Sequence, residues 1–170
     1  MATIHTLPGN LLVRSPRMDD LEAVLAVIND CDLADDGMLD HSIDELKAFW
    51  QSSNFNLETD ALWFMAFDGD QLAGGILCEY ERGLDLGWVG SVAVRRPWRG
   101  KGLGNALLLH AFAEYYRRGV YKVGLAVDSQ NLTGATRLYE RVGMHVALQR
   151  NTYEKELRAG EELSTQSVTV

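Results

Sequence analysis

The sequence predicts a mixed α/β domain, a central twisted and mostly antiparallel sheet with helices on its faces. Three observations predict it. Residues 61–67, 71–81 and 86–94 are three apolar runs in succession, joined only by the turn signals Asp68-Gly69 and Arg82-Gly83, so they read as antiparallel hairpins. The strand ending at Val94 is followed by a helix and then another strand, a unit that requires a parallel crossover. The chain of 170 residues, 46% hydrophobic and 24% charged, is long enough for one domain with a buried core.

Taken in order, Leu11, Leu12, Val13 and Arg14 read as a first strand that Ser15-Pro16 breaks. Asp19 and Asp20 stand where first-turn carboxylates favour a helix, and Leu21, Val24, Leu25 and Ile28 continue at helical spacing. A loop rich in Asp and Gly, residues 32–40, leads to Ser42 and Glu45, a capping box that opens a second helix through Trp50. The three sequential strands come next. A helix then runs to about Arg118 and stops at Gly119; residues 121–127 read as a strand. Asn131 is placed to cap a helix ending at Gly143. Residues 144–156 alternate loosely and read as a last long strand, and residues 159–170 as a polar tail. There is no internal repeat, so residues 1–158 are expected to form a single domain.

The net charge of −8 disfavours a nucleic-acid partner, because neutralising phosphates needs a basic face. No apolar run is long enough to span a bilayer, and the first ten residues lack the pattern of a signal peptide. Cys31 and Cys78 have no metal-ligand spacing and read as reduced thiols, the usage of a cytoplasmic protein; no metal site is expected.

Against this acidic background, Arg95, Arg96, Arg99 and Lys101 cluster around Arg99-Gly100-Lys101-Gly102-Leu103-Gly104. This hexapeptide joins a strand to a helix. Glycine permits the tight turn and close ligand approach, and the first amides of a helix have no intrahelical partner, so the junction favours a phosphate. The Walker pattern fails because Lys101 is followed by Gly102, not Ser or Thr. The dinucleotide fingerprint fails because Asn105 or Leu107 stands where its last glycine belongs.

What remains, Arg-x-x-Gly-x-Gly after Val92-Ala93-Val94, resembles the coenzyme A pyrophosphate loop of the GCN5-related N-acetyltransferase (GNAT) superfamily. A second stretch, Asn131 through Leu138-Tyr139-Glu140-Arg141-Val142-Gly143-Met144, is similar to that family's pattern Asn…(Leu/Phe)-Tyr-Glu-x-x-Gly-Phe, with Met144 in place of the last phenylalanine. The resemblance covers about residues 11–157. It implies one GNAT-like domain with a sheet of six or seven strands and about four helices, and acetyl-CoA as cosubstrate. It further implies pantetheine pairing with the backbone of Val92, Ala93 and Val94, and pyrophosphate on the amides of Gly100, Lys101, Gly102, Leu103 and Gly104. Arg99 takes the family's Arg/Gln position, and Asn105 and Asn131 are further cofactor contacts. Gly90, inside the strand, marks either a bulge or close packing.

Tyr139 matches the family's general acid, a phenol that protonates the departing thiolate. Alternatively it is a core residue on the stripe of Leu132, Ala135, Leu138 and Val142. The family's usual glutamate base, five residues before Ala93, is here Trp88. Glu79 on the preceding strand is the nearest substitute; Glu81, Asp85 or a relaying water are others. The acceptor pocket is expected within residues 18–54, including Asp35, Asp36, His41 and Trp50.

The expected activity is acetyl transfer from acetyl-CoA to a primary amine of a small molecule or peptide, by direct attack in a ternary complex. The alternatives are a non-catalytic acyl-CoA-binding module and a nucleotide binder. A homodimer is implied by the resemblance alone.

Overall fold

The computed structural model describes residues 11–35, 42–51, 62–81, 83–128, 134–151 and 153. Its elements are β1 (Leu12–Arg14), α1 (Leu21–Asp35), α2 (Ile43–Trp50), β2 (Phe64–Asp68), β3 (Gln71–Glu81), β4 (Leu86–Val94), α3 (Leu103–Arg117), β5 (Val123–Gly124) and α4 (Ala135–Arg141). Single 3₁₀ turns precede α1 at Met18–Asp20 and α3 at Arg96–Trp98. The described sheet has five strands in the order β1-β2-β3-β4-β5; the first four are antiparallel and β5 runs parallel to β4.

Local chemistry explains most boundaries. Gly69 adopts φ +59° in the two-residue turn between β2 and β3. The Ser42 amide donates to Glu45 Oε2 at 2.9 Å and the Glu45 amide to Ser42 Oγ at 3.3 Å, the reciprocal bonds expected where α2 begins. Asp20 does more than favour a helix dipole. Its carboxylate receives both Arg14 guanidinium nitrogens at 2.7 Å and the Arg17 amide at 2.7 Å, tying the entry of α1 to β1.

Two apolar clusters cover the two faces of the sheet. On one, Leu103, Leu107, Leu108, Ala111 and Tyr115 of α3 meet Ala66, Ala73, Ile76, Cys78 and Val89. On the other, Leu21, Val24 and Val27 of α1 and Trp50 of α2 meet Trp63, Met65, Phe67 and Leu72.

Four expectations are corrected. The described sheet has five strands rather than six or seven. Residues 144–151 form no strand: Val146 and Leu148 stand 81% and 71% exposed, so the loose alternation buries nothing and lacks what holds a strand in register. β5 is two residues long rather than seven, because its ladder with β4 stops at Gly124. Finally, the N-cap of α4 is Gly134, at φ +73°, and not the expected Asn131, which lies outside the described residues.

Candidate functional site

β4 is the axis of the site. It pairs with β3 along its whole length but with β5 only at Gly87↔Val123 and Trp88↔Gly124. From Val89 to Val94 the edge turned toward β5 has no strand partner among the described residues. The Arg95 amide donates to Ala73 O at 3.0 Å, which sets the phase of the β3–β4 ladder. By alternation, Ala93 and Ser91 turn their backbone groups to β3, whereas Val92 and Val94 turn theirs to the open edge. Of the three predicted backbone contacts, Val92 and Val94 therefore face outward, while Ala93 packs its methyl on the α1/α2 side.

The register slips between Leu77 and Cys78: Leu77 opposes Ser91 and Cys78 opposes Val89, leaving Gly90 as the extra residue. The glycine is thus a bulge. It changes the phase of β4, so that Trp88, five residues from Ala93, shares its face.

The loop after β4 is braced on both sides. Trp98 Nε1 donates to Asp68 Oδ2 at 3.0 Å, fastening the 3₁₀ turn to the β2–β3 hairpin. Arg99 Nε donates to Val94 O at 2.8 Å, so Arg99 closes the end of β4 with its own side chain. Gly100 and Gly102 adopt φ +70° and +84°, a conformation that side chains resist. The first amide to find an acceptor in α3 is that of Ala106, bonded to Gly102 O at 3.1 Å. The amides of Leu103, Gly104 and Asn105 precede it and have no intrahelical acceptor. Lys101, within the loop, and Arg96, in the 3₁₀ turn before it, are both exposed. Asn105 carries a buried side-chain oxygen with no hydrogen-bond partner among the described residues, a polar group at the mouth of the helix.

α4 meets this loop at Gly104. A Cβ on Gly104 would lie 3.3 Å from Leu138 Cδ2 and 3.9 Å from Val94 Cγ2, so the glycine lets α4, α3 and the end of β4 close together. Tyr139, next to Leu138, is half-buried, and burial raises its phenol above the ordinary tyrosine value. The proton stays on the phenol oxygen at neutral pH. Glu79 is exposed on β3, directly across from Trp88. Asn131, Asp36 and His41 lie outside the described residues.

Tyr115 is a residue that sequence patterning misses. It is fully buried in α3, and its hydroxyl lies 2.6 Å from Glu79 O and 3.0 Å from Trp88 O, donating to these carbonyls from the α3 face. A Cβ on Gly87 would sit 2.7 Å from the Tyr115 ring. The one local signal was a small residue, Gly87, opposite a large one.

Helix-mouth amides, loop cations and a free strand edge are together the features of a site suited to a phosphate-bearing ligand with an extended arm. The chain belongs to the acetyltransferase (GNAT) family, whose family model matches residues 28–144 and whose acyl donor is acetyl-CoA. It is 32% identical over 105 residues to the mycothiol acetyltransferase of Corynebacterium efficiens, covering 62% of this chain and 34% of that protein. A GCN5-related N-acetyltransferase from Sphaerobacter thermophilus superposes with a TM-score of 0.65 at 35% identity, over 84% of this chain and 44% of that one. The chain thus spans less than half the length of either relative. The PaiA N-acetyltransferase of Thermoplasma acidophilum, solved with coenzyme A, shares the fold at a TM-score of 0.59 and 20% identity, over 78% of this chain and 88% of that one. No helix among the described residues is long and apolar enough to cross a membrane.

Proposed function

We propose that this protein is an N-acetyltransferase that moves the acetyl group of acetyl-CoA to a primary amine in a ternary complex. The observation that carries the reading is the coincidence of the open Val89–Val94 edge with the helix-mouth loop that directly follows it. The residues suit coenzyme A. Gly100 through Gly104 offer amides to the pyrophosphate, with Lys101 beside them. The buried oxygen of Asn105 has no partner among the described residues, and Gly104 leaves room for α4 to close on the loop. Val92 and Val94 present amides to an extended pantetheine, Ala93 forms the floor between them, and Arg99 fixes the strand end. Asn131 belongs to the same binding set by resemblance.

Acetyl-CoA supplies an activated thioester. This chain's residues supply position and protons. The outward amide of Val94 is the donor available to polarise a carbonyl lying along the edge. Tyr139, kept protonated by burial, donates its proton to the sulfur as the C–S bond breaks. Glu79 accepts the proton that the ammonium sheds before attack, directly or through water. Residues 1–158 form the transferase domain in this reading and 159–170 a tail. A cytoplasmic location fits the free thiol of Cys78, and a homodimer fits the exposed Leu109, Tyr116 and Tyr121.

Calorimetry with coenzyme A, ATP and NAD tests the site; tight ATP binding with no coenzyme A binding overturns it. An acetyl-CoA consumption screen over polyamines, amino acids, aminoglycosides and peptides then tests turnover. Coenzyme A binding without turnover on any amine favours a non-catalytic acyl-CoA-binding module.

A further inference from the structure

Trp88 stands where the resemblance leads one to expect a carboxylate, and its surroundings give it work of its own. The β4–β5 ladder ends at the pair Trp88↔Gly124, so Trp88 marks the apex from which the two strands part. Its face is set by the ladder. Val89 and Val92 pack into the α3 cluster, Leu77 and Ala93 into the α1/α2 cluster, and the Gly90 bulge puts Trp88 on the latter side. The indole is seated on bare backbone: a Cβ at Gly124 would lie 3.2 Å from Trp88 Cζ3 and 3.4 Å from Cε3. Any larger residue at 124 displaces the ring. Trp88 is half-buried, so the residue is not closed off from solvent.

Glu79 is its direct cross-strand neighbour and lies on the same face. Both backbones are held from behind by one atom, the Tyr115 hydroxyl, at 2.6 and 3.0 Å from their carbonyls. A buried phenol thereby fixes the spacing of an aromatic face and a carboxylate at the apex of the site. An indole face attracts cations, and an adjacent carboxylate adds a counter-charge.

We propose that Trp88 and Glu79 form the seat for the acceptor's ammonium group, selecting an alkylammonium over a neutral molecule of the same shape. The proposal rests on the acetyltransferase reading and gives it a substrate charge and a specificity-determining residue. The face of Trp88 holds the cationic nitrogen beside the apex. Glu79 neutralises it and stands ready for its proton.

The test titrates the full-length, coenzyme A-loaded protein at neutral pH with butylamine, which is cationic there, and with 1-butanol, its neutral counterpart. The readout is the Trp88 indole N–H resonance, assigned with Trp88→Phe. Butylammonium is expected to shift it saturably and 1-butanol to leave it in place. Glu79→Gln is expected to weaken the cation roughly fivefold, the scale of an exposed ion pair. Followed by the Glu79-side backbone resonances, Trp88→Phe retains cation binding within about twofold and Trp88→Leu weakens it about fivefold, the scale of an exposed cation–π contact. An equal response to 1-butanol, no response to butylammonium, or an unchanged affinity in Glu79→Gln overturns the seat. Coenzyme A affinity, measured on the same sample, separates the two readings. If coenzyme A binds and charge selectivity is absent, the seat alone fails; if coenzyme A does not bind, the acetyltransferase reading fails with it.

Discussion

Tyr115 and Trp50 are both buried aromatic residues with one polar atom, and they are served very differently. Tyr115, on the α3 face of the sheet, bonds the carbonyls of Glu79 and Trp88, and the Cys78 thiol lies against its hydroxyl. Trp50, on the α1/α2 face, is 3% exposed, meets Trp63 edge-on at 5.9 Å, and its indole N–H finds no acceptor among the described residues. The α3 side is therefore fixed by directional bonds, which hold atoms to fractions of an ångström. The α1/α2 side is held mostly by dispersion and burial, which accept alternative packings. A shared donor needs one geometry. Acceptors that differ between relatives need a wall that can be rebuilt.

The largest expected effect tests whether chemistry resides on the α3/α4 side. Tyr139→Phe keeps the ring and should lower kcat by about 100-fold with coenzyme A affinity unchanged, as steady-state kinetics and calorimetry will show. An unchanged kcat removes the acid role and returns Tyr139 to packing. The two buried aromatics come next. Tyr115→Phe should cost about 2 kcal/mol in urea unfolding, since it strips a donor from buried carbonyls. Trp50→Phe removes more atoms yet should cost no more than about 1 kcal/mol, because the N–H it deletes had no described partner to lose. If the order is reversed, the contrast between the two faces is wrong.

Asp20 sharpens the comparison from the other side, being a closed polar knot on the weaker face. Asp20→Asn should cost about 1.5 kcal/mol at pH 7. Hydrogen bonding from Arg14 holds the Asp20 carboxyl below its ordinary value. A depressed carboxyl stabilises the fold fully above the unfolded value, near 3.8, and that contribution fades as pH falls through the folded one. The gap between wild type and variant should thus close in melts at successively lower pH. Smallest is Glu114, which Arg117 and Arg118 hold down to about 2. Glu114→Gln should cost a few tenths of a kcal/mol at neutral pH, with the difference vanishing as pH drops from about 4.5 toward 2.

Much of the α3 side was legible in the sequence because its demands are local. Gly100 and Gly102 must take positive φ, the loop must fall between strand and helix, and the hairpin before it needs a two-residue turn at Gly69. Each is a constraint on neighbours in the chain, so spacing reveals it. The Tyr115 bonds were not legible, because their acceptors lie 36 and 27 residues away and are backbone atoms carrying no side-chain signature. Val146 and Leu148 misled for the opposite reason: alternation is visible in a sequence, but whether a neighbour covers it is not. The Trp88–Glu79 pairing needed the bulge at Gly90, since one extra residue decides which face every later side chain takes.

Cys78 carries a last consequence. Burial pushes its thiol up to about 12, and its side chain is closed inside the α3 cluster beside Tyr115. Only a thiolate attacks a disulfide reagent, so burial and the raised thiol make this sulfur slow to react in the native state. With the chain's other cysteine, Cys31, replaced by serine, its labelling becomes a clock: each reacted thiol records one moment at which β3 and β4 came apart. Run with and without coenzyme A, that clock reads how far an occupant of the outer edge slows the breathing of the sheet's centre.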